Sequence, residues 1–224
     1  MKKKKFLVVG IGVLGRAMAL ELSKNGVEVI AIDSKLSCVD PIRDRVSIAA
    51  ECDATDVNAL KQLGAATVDV AIVCIGEEFE AAVLATAHLL DLNVPHVAAR
   101  ANSDVAESIL KRLGAHEVFF VEGTIGKMVA DRLVHPNVLT DLQIGDDYRM
   151  IQWHATGGLV GKSLTSIELP KRYGIQVMAI RCPETKNTSM PDPAVPIKSG
   201  DRLFLLGKEA DLDRFIGELE SGKS

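Results

Sequence analysis

Short apolar runs in the first half of the chain place hydrophobic residues on consecutive positions, most plainly in Val70-Ala71-Ile72-Val73-Cys74-Ile75. A strand with one wet face alternates in character. A strand that is apolar throughout is covered on both faces, as in a parallel sheet between two layers of helices. Runs of this kind lie at Phe6–Val9, Val27–Ile32, Val46–Ala50, Val68–Ile75, Val94–Ala99 and Glu117–Val121. Helical stretches fall between them, from the first glycine turn through about Lys24 and near residues 35–43, 56–63, 77–91 and 103–113. The runs are short, rich in Val and Ile, and bounded by Gly, Asp or Pro, which separates them from buried helices. The alternation predicts an α/β domain with a Rossmann-like, doubly wound parallel sheet.

The pattern changes near His135-Pro136-Asn137. Thr124–Val134 carries Ile125, Met128, Val129 and Leu133 at helical spacing, and Pro136 closes it. Beyond it, strands are expected at Tyr148–Ala155, Gln176–Arg181 and Arg202–Leu206, with helices near Ser166–Tyr173 and Ala210–Leu219. Pro183–Pro196 holds four prolines and predicts a loop or short edge structure. The chain therefore divides into a nucleotide-binding domain over residues 1–135 and a small α+β domain over 136–224. About 80 residues fold only marginally alone, so the second domain is expected to lean on a partner subunit.

The first strand runs directly into Gly10-Ile11-Gly12-Val13-Leu14-Gly15, which opens a helix. In a dinucleotide fold the first glycine permits a tight turn, the second admits a pyrophosphate to the backbone, and the third lets helix and strand pack closely. Unpaired N–H groups at the helix start then attract phosphate. Asp33 ends the second strand 18 residues after Gly15, where an acid accepts hydrogen bonds from ribose hydroxyls and disfavours a 2′-phosphate. Asp53 and Ala54 follow the third strand, Ile75 and Gly76 the fourth, and Arg100 ends the fifth. Asp53 could accept from an adenine amine or cap the next helix, a role that Thr55 or Asp56 also suits. Gly76 and Arg100 leave a binding and a structural reading equally open.

Reaction groups are not evident. Tyr148 is followed four residues later by Gln152, and Tyr173 by Val177, so neither has the lysine of short-chain hydride-transfer enzymes. No GxSxG elbow occurs. Gly157-Gly158-Leu159-Val160-Gly161-Lys162-Ser163 looks like a phosphate loop, but Thr156 stands where its first glycine belongs, and the segment reads as a turn. Four cysteines and five histidines are too scattered for a zinc site. A net charge of −4 gives no general attraction to nucleic acid. Neither a membrane span nor a secretory leader is expected, which predicts a cytoplasmic protein.

On these residues the chain resembles the RCK (also called KTN) regulatory subunits of Trk/Ktr-type potassium uptake systems, the TrkA-like family, over nearly its whole length. The matching pieces are Gly10–Gly15, Asp33, Cys52-Asp53-Ala54-Thr55-Asp56, Cys74-Ile75-Gly76 and Val121-Glu122-Gly123 with Gly126. In the second domain they are Leu159–Leu164, Tyr173-Gly174-Ile175 and Gly200–Leu203. The resemblance implies a non-enzymatic gating subunit that binds NAD(H), ADP or ATP. It implies a dimer or octameric ring on the inner face of the membrane, under a membrane-embedded potassium transporter subunit. By position, Ile11–Leu14, Asp33, Asp53, Ala54, Ile75, Gly76 and Arg100 would line the pocket. Glu122 would hold a divalent cation or simply favour a helix N-terminus. Val13 stands where ATP-responsive members often carry Arg, with Arg16 nearby on the helix, which points to NAD(H) or ADP. Some relatives bind cyclic di-AMP on an apolar C-domain surface, for which Ile167, Leu169, Ile175 and Val177 are the candidates, with an ordinary core as the competing reading. Alternatives are an NAD-dependent oxidoreductase, an RCK-type regulator of another channel or antiporter and, more distantly, a methyltransferase.

Overall fold

The structure is a computed structural model that describes residues 3–221. The chain forms two compact units, one up to Ile125 and the other from Gly126. In the first, β1 (Lys5–Val9), α1 (Val13–Lys24), β2 (Glu28–Asp33), α2 (Leu36–Val39), β3 (Ile48–Glu51), α3 (Val57–Gln62), β4 (Val70–Val73), α4 (Phe79–Asp91), β5 (His96–Arg100), α5 (Asp104–Leu113) and β6 (Glu117–Phe119) alternate. The sheet is parallel throughout, in the order β3-β2-β1-β4-β5-β6. This is the doubly wound order expected from the apolar runs. Its direction of winding reverses between β1 and β4, where such folds open a crevice at the carboxyl ends of the strands.

Two apolar layers flank this sheet. Leu7, Val9, Ile30, Ile32 and Val73 face one with Leu60 and Leu89, while Val8, Val29, Ala31 and Ile72 face the other with Ala19 and Ile42. Consecutive strand residues thus point into opposite cores, which is why the runs do not alternate. Each fully buried aliphatic side chain contributes about 1.5–3 kcal/mol. α5 is bounded by the Ser103 hydroxyl, which accepts from the Ala106 N–H, and by Gly114 in the left-handed region at φ 104°.

α6 (Val121–Val134) crosses from the first unit into the second. The second unit holds β7 (Val138–Ile144), β8 (Tyr148–His154), α7 (Leu164–Ile167), α8 (Leu169–Tyr173), β9 (Gln176–Arg181), β10 (Thr188–Ser189), β11 (Arg202–Lys208) and α9 (Glu209–Glu220). Its antiparallel sheet runs β10-β9-β11-β8-β7. Trp153 and Phe215 meet edge to face at 5.5 Å in its core. Ile167, Leu169 and Ile175 lie in that core and Val177 packs against it, the ordinary-core arrangement. Arg149 binds β8 to its surroundings through Asp141 and Asp213 at 2.6 and 2.9 Å.

Three local expectations need correction. Val121 starts α6 instead of ending β6. The helix expected at Ser166–Tyr173 is two short helices, because Glu168 turns left-handed at φ 53°. β7 was not expected at all. It is an edge strand whose residues from Thr140 onward are exposed, so no buried apolar run announces it.

Candidate functional site

The chain leaves β1 and turns at Gly10, whose φ of 87° belongs to the left-handed region that glycine enters without a Cβ clash. The Gly10 N–H donates to the Ile32 carbonyl at 2.8 Å and ties the turn to β2. Gly12 caps α1 without a side chain, and no acid occupies the helix's first turn. The first N–H groups of this 12-residue helix therefore remain available to an anion, at its positive end. A Cβ on Gly15 would run into the Gly10 carbonyl oxygen and come within 3.2 Å of the Cys74 side chain. Glycine at this position lets α1 lie against the turn.

Asp33 does more than sequence reasoning assigned to it. Its Oδ2 accepts the Ile11 N–H at 2.6 Å and its Oδ1 accepts the Lys35 N–H at 2.9 Å. The carboxylate thus fixes the glycine turn to the end of β2. Each oxygen keeps a further acceptor position for a sugar hydroxyl.

A cavity of about 810 Å³ opens at these strand ends, within the range of cofactor sites. Gly10, Gly12, Val13 and Leu14 line it from the turn. Asp33, Asp53 and Ala54 line it from the ends of β2 and β3, and Ile75, Gly76, Arg100 and Glu122 from the remaining side. Ile11 and Gly15 stand outside the lining. Ile11 is fully buried, and both shape the turn from behind. Val13 is almost fully exposed at the helix start, and Arg16 does not reach the lining. The cap of α3 belongs to Asp56, which accepts the Asn58 N–H at 2.8 Å. That leaves Asp53 in the cavity, its carboxyl held below the usual range by the Thr55 hydroxyl and N–H.

Sequence comparison gives the site its relatives. The TrkA-N domain profile matches residues 6–121 and the TrkA-C domain profile residues 154–219. The chain belongs to the TrkA-N/TrkA-C family. Ktr system potassium uptake protein C of Bacillus subtilis (strain 168) is 32% identical over 213 residues, covering 95% of this chain and 96% of the relative. Ktr system potassium uptake protein A of the same organism is 30% identical, covering 97% and 98%. Among solved structures, the GsuK channel superimposes with a TM-score of 0.70 at 14% identity over 96% of this chain, which spans 39% of that one. GsuK bound to NAD gives a TM-score of 0.67 at 16% identity, covering 97% of this chain and 40% of that one. At these identities the solved structures establish the shared fold.

One contact in this TrkA-N domain was not foreseen. The Arg100 guanidinium reaches across from β5 and pairs with Glu122 in the first turn of α6. It lies in the notch left by Gly76, where a Cβ would meet it directly, and Asn102 holds the Gly76 carbonyl at 2.9 Å. The Nε of Arg100 is buried without a partner. The N–H of its own peptide, with help from the Arg100 guanidinium, holds the Glu122 carboxyl below the usual range against the opposing effect of desolvation. No group of three or more His, Cys, Asp or Glu able to hold a metal occurs among the described residues. Within one chain Glu122 therefore meets a guanidinium instead of other metal ligands. Cys52 and Cys74 also border the cavity as thiols, the latter pushed up to about 12 by burial. Lys35 and Asn102 were missed. Lys35 could have been flagged by its place two residues after the strand-end acid Asp33; Asn102 carries no motif of its own.

Proposed function

We propose that the chain is a nucleotide-binding regulatory subunit of a potassium uptake system, with its ligand's diphosphate on the open end of α1 and its ribose on Asp33. One observation carries this reading. The bare helix start, the strand-end acid and Arg100 line a single cavity, in a chain that matches Ktr system proteins over nearly their full lengths. The solved GsuK channel, which shares the fold, has been captured with NAD and with ADP. Asp33 disfavours a 2′-phosphate, and Val13 offers no charge to a γ-phosphate, so NAD(H) and ADP fit better than NADP or ATP. The lining contains no histidine or tyrosine among the described residues to serve hydride transfer, and the site reads as a sensor.

Regulation follows from Arg100. A ligand phosphate competes with Glu122 for the guanidinium, and Glu122 heads the helix that continues into the second unit. A divalent cation would enter the same competition by engaging Glu122. Binding energy shifts conformation only through such a difference between states. Partners are further copies of the chain and a membrane-embedded transporter subunit. α5 supports self-association, since Val105, Ile109 and Leu113 are exposed one turn apart on its outer face. No helix among the described residues is long and apolar enough to cross a membrane, so we place the subunit at the inner membrane face through its partner. The domain limits we propose are residues 1–135, including α6, and 136–224.

Calorimetric titration of the full chain with ADP, ATP, NAD and NADH, beside mass measurement in solution, tests the reading. ADP or NAD(H) is expected to bind, and Asp33→Asn to weaken binding about tenfold. Potassium-uptake complementation in cells tests the partner. Indifference to every adenine nucleotide would overturn the site; binding without any effect on uptake would overturn the potassium role alone.

A further inference from the structure

The glycine-rich turn of the second unit borders a cavity of its own. The space measures about 290 Å³ and lies among the turn at Gly158 and Leu159, helices α7 and α8, and α9. Its floor is apolar. Leu159, Ile167, Leu169 and Phe215 are each no more than 5% exposed and belong to the core, yet each borders the space. Tyr173 forms one wall, its hydroxyl donating to Glu218 at 2.5 Å, so that carboxylate is engaged.

The rim is basic. Lys162 and Arg172 both border the cavity, and neither forms an ion pair with a carboxylate among the described residues. Arg172 has only the Tyr173 hydroxyl, at 3.4 Å, and the Tyr173 ring, 5.3 Å from its guanidinium carbon. Arg214 lies over the same ring at 5.4 Å but is held by Asp211. Arg149 pairs with three carboxylates and Lys171, Lys208 and Arg214 with one each, whereas the two cations that border this cavity pair with none among the described residues. Two cations without partners at the mouth of an apolar cavity complement a ligand with an apolar body and an anionic head. The volume suits about ten heavy atoms, at the small end of ligand sites.

We infer that this cavity is a second ligand site, in the TrkA-C unit itself, for a compact amphipathic anion: a ring or short chain on the apolar floor, and a phosphate or carboxylate held by Lys162 and Arg172. The selectivity lies in side chains, because the N–H groups of Val160, Gly161 and Lys162 already bond to Gly157, Ile197 and Leu159. This cavity shares no lining residue with the nucleotide cavity of the first unit.

Trp153, the only tryptophan, packs edge to face on Phe215 and reports events at the floor. The full chain is titrated with phenyl phosphate, phenylacetate, benzyl alcohol and inorganic phosphate, following Trp153 emission, each with and without ADP. Phenyl phosphate or phenylacetate is expected to bind about tenfold more tightly than benzyl alcohol or inorganic phosphate. Whichever of the two binds better identifies the head group. Lys162→Ala and Arg172→Ala, both at exposed positions, should each weaken that binding by about fivefold to tenfold without changing the melting curve. A response equal for neutral and charged probes, or for inorganic phosphate alone, would overturn the proposal. So would binding that both variants leave intact, displacement by ADP, or no response to any probe. ADP affinity is read in the same titrations, so failure of this site is separable from failure of the nucleotide site.

Discussion

Each half of the chain carries a glycine-rich segment beside a strand, and the two are put to different uses. In the first, Gly10 turns left-handed, Gly12 leaves the start of a 12-residue helix without a side-chain cap, and Gly15 packs that helix onto the turn. In the second, Gly157 and Gly161 also have positive φ, yet the N–H groups of Val160, Gly161 and Lys162 bond within the protein. The helix that follows has four residues and is capped by Ser163. A short, capped helix offers little dipole and few free donors. Anion binding by backbone therefore depends on what the donors do next, not on the number of glycines. In the second unit any anion must be met by side chains, and Lys162 and Arg172 are placed for that.

Closing the distinctive contact of the first segment should produce the largest effect. Gly15→Ala places a methyl group on the Gly10 carbonyl, backbone against backbone, where neither can yield cheaply. We expect a loss of about 3 kcal/mol in denaturant unfolding and loss of nucleotide binding in calorimetry. A stable Gly15→Ala protein with unchanged ADP affinity would mean that the close approach of α1 is not what builds the site.

A smaller effect sharpens the role of Arg100. Glu122→Gln removes the charge that competes for the guanidinium while keeping the side chain's shape. An ion pair this open to solvent is worth at most about 1 kcal/mol, so ADP affinity should rise up to about fivefold. The sign with pH follows from the carboxyl being held low. The pair is present above the usual carboxylate range and is lost only as pH falls through the lowered value. The ratio of variant to native affinity should thus stay constant around neutrality and approach unity in acid. A weaker affinity in Glu122→Gln would make Glu122 a ligand-holding group instead of a competitor.

How much of this was readable beforehand depends on how local the cause is. Consecutive apolar residues such as Val70–Val73 report a doubly covered strand directly, and the glycine turn reports its own geometry, so the parallel sheet and the cavity's main walls were legible. Contacts between distant segments were not. Arg100 and Glu122 are 22 residues apart, and no spacing rule links a strand end to a helix start across a connecting helix. The tether from Asp33 to the Ile11 N–H was hidden for another reason: its residue type already had an accepted role, and the backbone donor has no sequence signature. β7 escaped because it is an edge strand exposed from Thr140 onward, and its short alternation carries no buried apolar run.

The smallest expected effect belongs to the second segment. Gly161 has φ 83° and open space where a Cβ would lie, so Gly161→Ala meets no atom and bears only the left-handed backbone. That costs about 1 kcal/mol, or roughly 3 °C in melting temperature for a chain of this size. Nucleotide affinity should not change, because the residue lies outside the cavity that holds Gly12 and Asp33. Its N–H bond to Ile197 can persist, since alanine keeps the donor. If Gly161→Ala instead abolished ADP binding, the backbone of the second segment would be acting as a phosphate cradle after all. The contrast between a helix start left open and a turn closed on itself would then fail as the explanation of where this chain binds.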